Sequence, residues 1–120
     1  METKDGIPTF FAQSTDEWRD WLAQYGQHQK SVYLIIYKKG SNRTSIKWHD
    51  AIEHALSFGW VDSKAVKRDE QSVYLKFTPR HPKSQWGPMN KKRAQKLIDA
   101  GLMRPEGQKL IDLAMESGNW

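Results

Sequence analysis

Between Phe77 and Trp86 the chain reads FTPRHPKSQW, so that Arg80, His81, Lys83 and Ser84 sit among two prolines and end on a tryptophan. Arginine offers a planar, permanently charged fork that takes a carboxylate or a phosphate in two places. The stretch runs directly into GPMNKKR, where Pro88 suits the first turn of a helix. A helix start carries unpaired backbone N–H groups and the positive end of the helix dipole, and both favour an anion. Lys91, Lys92 and Arg93 fall near that same end with no acid in the first turn, a conflict that an anion would relieve. Pro88 takes one N–H out of the cradle. The plainer alternative is that Ser84 or Gly87 caps the helix, Pro79 and Pro82 shape a turn, and the lysines are solvated.

Other groupings suggest other chemistry. Asp62 and Arg80 form either a ligand-recognising pair or a structural ion pair, and Trp60 and Trp86 either stack on a planar ligand or build core walls. His49, Asp50, Glu53 and His54 are close in sequence, but on a helix they lie opposite the apolar stripe of Trp48, Ala51, Ile52 and Ala55. They read as a solvated face, so no metal ligand is assigned. Ser84 with His81 lacks an oriented third group, and there is no G-x-S-x-G, Walker loop or dinucleotide fingerprint. No catalytic residue and no cofactor follow from these patterns.

The elements that must position these residues are read from periodicity. Ser14 and Glu17 form a capping-box pattern, followed by Trp18, Trp21, Leu22 and Tyr25 at helical spacing, with Gly26 as the stop. Val32 to Lys38 is β-branched and aromatic at both parities, as a central strand buried on both faces requires. A second helix starts at Trp48 and ends before Gly59. Two strands, Trp60 to Val66 and Val73 to Thr78, flank the turn KRDEQS as a hairpin. A third helix runs from Pro88 to Gly101 with Asn90, Ala94, Leu97 and Ile98 inward, and a fourth from Glu106 to Ser117 through Leu110, Ile111 and Ala114. The fold class is α+β in the order α-β-α-β-β-α-α, a small, mainly antiparallel sheet packed against helices. Residues 1–120 form a single domain with 1–9 as a frayed leader.

The hairpin register bears on the candidate site. If even-numbered residues share a face, Val61, Ala65, Val73, Leu75 and Phe77 face the core, and Trp60, Asp62, Lys64, Lys76 and Thr78 form a polar side that leads to Arg80. Trp18, Trp21, Ile35, Ala55, Leu56, Phe77, Leu97 and Leu110 are expected in the core, with Lys91, Lys92 and Lys96 exposed.

The chain carries 19 basic and 14 acidic residues, six tryptophans and no cysteine. The net charge of +5 favours anionic partners, and the absence of cysteine fits a reducing compartment. The longest apolar run, Val32 to Tyr37, is far too short to span a bilayer. A cytoplasmic location without membrane insertion is expected.

The segments AIEHALSFGWVDS at 51–63, FTPRHPKSQW at 77–86 with Asn90 after it, and LIDAGLMRPEGQKLIDLA at 97–114 resemble the bacteriocin-protection, YdeI/OmpD-associated family. The likeness extends over the leading tryptophan helix and the VYLIIYKK strand. It implies a bacterial domain connected with tolerance of bacteriocins or stress, and it brings no catalytic mechanism. The family motif falls on Phe58, Gly59, Trp60, Asp62, Thr78, Pro79, Arg80, Ser84, Trp86 and Asn90. Gly87 stands where many relatives of that family carry serine, and many continue beyond the position of Trp120. The expected function is a non-catalytic binding domain for an anionic small molecule or acidic peptide, with Trp60, Asp62, Thr78, Arg80, Ser84, Trp86 and Asn90 as ligand-binding residues. Two rivals are an enzyme of unknown reaction using Asp62 as base and Arg80 as anion stabiliser, and a single-stranded nucleic-acid binder using KKGSNR, NKKR and exposed tryptophans.

Overall fold

The structure is a computed structural model that describes residues 2–120. Its elements are β1 (Thr3–Lys4), β2 (Ile7–Phe11), α1 (Thr15–Tyr25), β3 (Val32–Tyr37), α2 (Trp48–Leu56), β4 (Trp60–Lys67), β5 (Ser72–Pro79), α3 (Pro88–Asp99) and α4 (Pro105–Ser117). The mixed α and β content matches expectation, but the element order does not. Within the expected frayed leader, residues 2–9 contribute β1 and most of β2, and Met1 lies outside the described residues. Asp5 and Gly6 both take positive φ, 54° and 76°, which is the backbone of a tight two-residue hairpin turn and is natural for an Asp-Gly pair.

The sheet order is β1-β2-β3-β5-β4. It is mixed rather than mainly antiparallel, because β2 runs parallel to β3 while the other neighbours are antiparallel. A parallel neighbour needs a crossover, and α1 supplies it between β2 and β3. Ser14 starts that helix as expected, its Oγ accepting from the Glu17 N–H at 3.2 Å. β3 is the middle strand, as its two-sided apolar pattern requires.

A bulge breaks the hairpin. Asp62 pairs with Phe77 and Lys64 with Lys76, so Ser63 is left over and the parity changes between them. Lys64 and Lys76 share a face, and Ala65 and Leu75 share the other, as the single-register reading holds. Ahead of the bulge that reading is overturned: Trp60 and Asp62 lie on the Phe77 side, while Val61 lies with Thr78. A single inserted residue sends every preceding side chain to the opposite face.

Two apolar clusters result. The larger is built from Trp18, Trp21, Leu22, Val32, Leu34, Ile36, Ala55, Trp60, Leu75 and Phe77, with Trp18 and Trp21 stacked and Trp60 edge-on to Trp21. The smaller joins Leu56, Trp86, Ala94, Leu97, Ile111 and Ala114, with Val61, Leu110 and Trp120 against it. The expected core residues are buried except Leu110, which is half-buried; Lys92 and Lys96 are exposed, and Lys91 is half-buried against Trp120. Two inward assignments fail, since Ile98 and Trp48 are each 37% exposed. Among the described residues no helix is long and apolar enough to cross a membrane.

Candidate functional site

Gly59 links α2 to the opening stretch. Its φ is +78°, and a Cβ there would meet Leu110 Cδ1 at 2.9 Å, so both the turn and the approach of α4 require glycine. From this turn the Gly59 carbonyl accepts the Arg80 backbone N–H at 2.7 Å. That bond holds the end of β5 against the FGW turn and sets where the Arg80 side chain departs.

The Arg80 guanidinium lies 4.1 Å from the centre of the Trp86 ring, and its Nη2 donates to the Gln85 carbonyl at 2.7 Å. Both contacts aim it toward the residues just before Gly87, the N-cap of α3. No carboxylate pairs with it among the described residues. Its Nε is buried without a partner, and burial pulls the Arg80 pKa down. Arginine remains charged through such a shift, so this is a half-buried cation with donors left over.

Trp86 is 7% exposed, packs on Trp120 at 5.2 Å between ring centres, and donates its backbone N–H to the Asn119 carbonyl. Asn119 Nδ2 reaches back to the Lys83 carbonyl at 3.1 Å. The end of the chain is thus strapped onto the FTPRHPKSQW segment, and the turn is shaped from both sides.

The remaining expected site residues do not all join this corner. Trp60 is 1% exposed and belongs to the larger core, so it is a wall and not a stacking surface. Asp62 is exposed and makes no ion pair with Arg80, because the bulge turns it to the Phe77 side. Thr78 is half-buried beside Val61. Ser84 closes the local turn, its Oγ donating to the His81 carbonyl at 3.0 Å. Asn90 Oδ1 accepts from Arg93 Nη1 at 2.9 Å. That bond keeps one cation near the start of α3, a helix with no side-chain cap and no acid in its first turn.

A second cationic cluster escaped sequence reasoning. Arg19 donates to Ser57 Oγ at 2.9 Å and to the Leu102 carbonyl at 2.8 Å, and its Nη1 lies 3.1 Å from His54 Nδ1. Arg19 and Arg104 each lie over Phe58, at 5.1 and 5.5 Å. Burial first, then the Arg19 charge, lowers the His54 pKa, which keeps Nδ1 free to accept. His54 therefore belongs to the α1–α2 junction instead of a solvated face. Its i, i+3 and i, i+4 pattern alone gave no hint of a partner 35 residues earlier.

Taken together, the Arg80 corner holds a fork, an aromatic platform and a helix start, but no positioned general base or activated nucleophile. Residues 10–110 match the model of a family described as a domain of unknown function (DUF8412), and the chain belongs to that family. No curated protein and no solved structure matches the chain.

Proposed function

We propose that this chain is a non-catalytic binding domain for an anionic group, carried by a small molecule or an acidic peptide, and that Arg80 engages it. The observation that carries this reading is the Arg80 guanidinium: half-buried, stacked on Trp86, held by the Gln85 carbonyl and answered by no carboxylate among the described residues. A desolvated arginine with free donors gains more from a carboxylate or phosphate than an exposed one does, because charge-assisted bonds strengthen as water is excluded. Membership of a bacteriocin-tolerance type of protein related to the YdeI/OmpD-associated family, in the cytoplasm, is part of the same proposal and rests on the motifs at 51–63, 77–86 and 97–114.

The enzyme alternative is weakened, since Asp62 and Arg80 form no ion pair among the described residues. The nucleic-acid alternative is weakened by the burial of Trp60 and Trp86, which withdraws the two rings expected to stack on bases.

Titration with inorganic phosphate, a glutamate-rich peptide and a nucleoside monophosphate, followed by amide chemical shifts, tests the proposal. The amides of Arg80, Gln85, Met89 and Asn90 should move before those of His28 and Asp69. Arg80→Lys, which keeps the charge and loses the fork, should remove most of the response while the remaining spectrum is unchanged. Largest shifts elsewhere, or an equal response in Arg80→Lys, would reassign Arg80 to a structural role.

A further inference from the structure

The loop between β3 and α2 borders a half-open cavity of about 680 Å³, within the range of about 300 to 1,000 Å³ usual for small-molecule sites. Its apolar lining comes from Ile36, Ile46, Val73 and Trp48, and its charged lining from Lys38, Lys39, Arg43 and Lys47, with no acidic residue among the lining side chains. Ile36 and Val73 are paired neighbours on the face of the sheet that carries the larger core. The cavity is thus the place where that apolar face meets the loop before α2 and Trp48, the first residue of α2.

The loop is tied down rather than loosely draped. The Tyr37 N–H donates to Ser45 Oγ at 3.0 Å, the Lys38 N–H to the Gln71 carbonyl at 2.8 Å, and the Ile46 N–H to the Ala12 carbonyl at 3.1 Å. Gly40 takes φ +88° at the tip. The Arg43 guanidinium rests on ring faces, 4.9 Å from Phe11 and 5.2 Å from Tyr37, on the sheet face opposite Ile36 and Val73, so it anchors the loop and leaves the lysines to face the hollow. None of the four cations is in an ion pair among the described residues, although nearby Lys67 and Arg68 both are. Like charges gathered around an apolar hollow repel one another and are relieved by an anion whose body fills the hollow.

We infer that this cavity is a second binding site, for an amphipathic anion: an aromatic or aliphatic body lodged against Ile36, Ile46, Val73 and Trp48, with a single carboxylate or phosphate head among Lys38, Lys39 and Lys47. It is separate from the Arg80 corner, and neither reading depends on the other.

Calorimetry and amide shifts with phenyl phosphate, octanoate, inorganic phosphate and benzyl alcohol test it. Phenyl phosphate or octanoate should saturate the protein and move the amides of Gly40, Ser45, Trp48 and Val73. Inorganic phosphate, which lacks the body, and benzyl alcohol, which lacks the charge, should each bind at least about tenfold more weakly, a difference of about 1.4 kcal/mol. The double variant Lys38→Gln/Lys47→Gln should weaken the preferred anion by about tenfold or more, Trp48→Ala should weaken it without changing the response to inorganic phosphate, and Arg80→Lys should leave it untouched. The inference is overturned if neither amphipathic anion saturates, if inorganic phosphate binds as tightly, if the double variant binds as the parent does, or if the shifts centre on Arg80, Met89 and Asn90.

Discussion

Arg68 and Arg80 flank the same strand, β5, and live in opposite surroundings. Arg68 is saturated: Nη2 and Nε meet the two Glu2 carboxylate oxygens at 2.8 and 3.0 Å, and Nη1 reaches Asp69, Ser72 and Tyr37. Its pKa is raised, chiefly by the Glu2 bond. Arg80 has one carbonyl, one ring face and an idle Nε, and its pKa is lowered by burial alone. One guanidinium has spent its donors on fastening β1 to the hairpin turn, and the other has kept some. This contrast supports the proposal of an anion at Arg80, where Nη1 has no hydrogen-bond partner among the described residues.

The largest expected effect comes from removing the platform beneath the free arginine. Trp86 is buried in the smaller core and packed on Trp120, so Trp86→Ala should lower unfolding stability by about 3 to 5 kcal/mol, the usual cost of truncating a buried aromatic. Urea denaturation of Trp86→Ala beside Trp48→Ala measures it, because Trp48 is 37% exposed and should cost far less. Equal losses at the two sites would mean that Trp86 is no core wall, and the picture of Arg80 resting on a rigid surface would break.

Much of this arrangement is legible in the residues, and the failures have local causes. The capping pattern at Ser14, the two-sided apolar run of β3, Pro88 at the start of α3 and Gly118 with its left-handed φ of 79° at the end of α4 are all local signals, and each was met. β1 and β2 are short and draw their stability from partners, β2 from a strand across α1, so their own residues carry little periodicity. The Asp5-Gly6 turn was the one available sign. The bulge at Ser63 has no glycine to mark it, and it scattered Trp60 and Asp62 away from the polar side assigned to them. The contact of Arg80 with Trp86 was foreseeable because five intervening residues, Pro82 among them, limit where the arm can go; the absence of Asp62 was not.

A smaller effect separates the two arginines themselves. Arg80→Gln should lose its ring contact and its bond to Gln85, a destabilisation of about 1 to 2 kcal/mol given that the pair is partly desolvated. The same change at Arg68 breaks a network whose members are partly open to water, with side-chain exposures of 23% for Arg68 and 37% for Glu2, and exposed pairs contribute about 0.2 to 1 kcal/mol. Thermal denaturation of both variants gives the order. A greater loss at Arg68 would make the saturated site the more important clamp and reverse the comparison.

The smallest effect is a dependence on acid that only one of the two arginines should show. The Glu2 carboxylate is pulled down from 4.5 to about 2, first by its bond from Arg68 and then by one from the Tyr74 hydroxyl. A carboxylate held lower in the folded state than in the unfolded chain contributes stability that is fully present above its unfolded value and is lost as pH falls through the folded one. The contribution of this pair is therefore intact at neutral pH and disappears between about 4.5 and about 2. Screening at an exposed site keeps it within about 1 kcal/mol. Glu2→Gln should flatten that part of the stability profile, measured by urea midpoints at steps between pH 5 and about 2.5, and should matter little at pH 7 beyond the same small loss. Arg80→Gln should leave the slope in this window as it is in the parent, because no carboxylate pairs with Arg80 among the described residues. A slope that changes in Arg80→Gln would reveal an acid serving that guanidinium in solution, and the free donors attributed to it would already be in use.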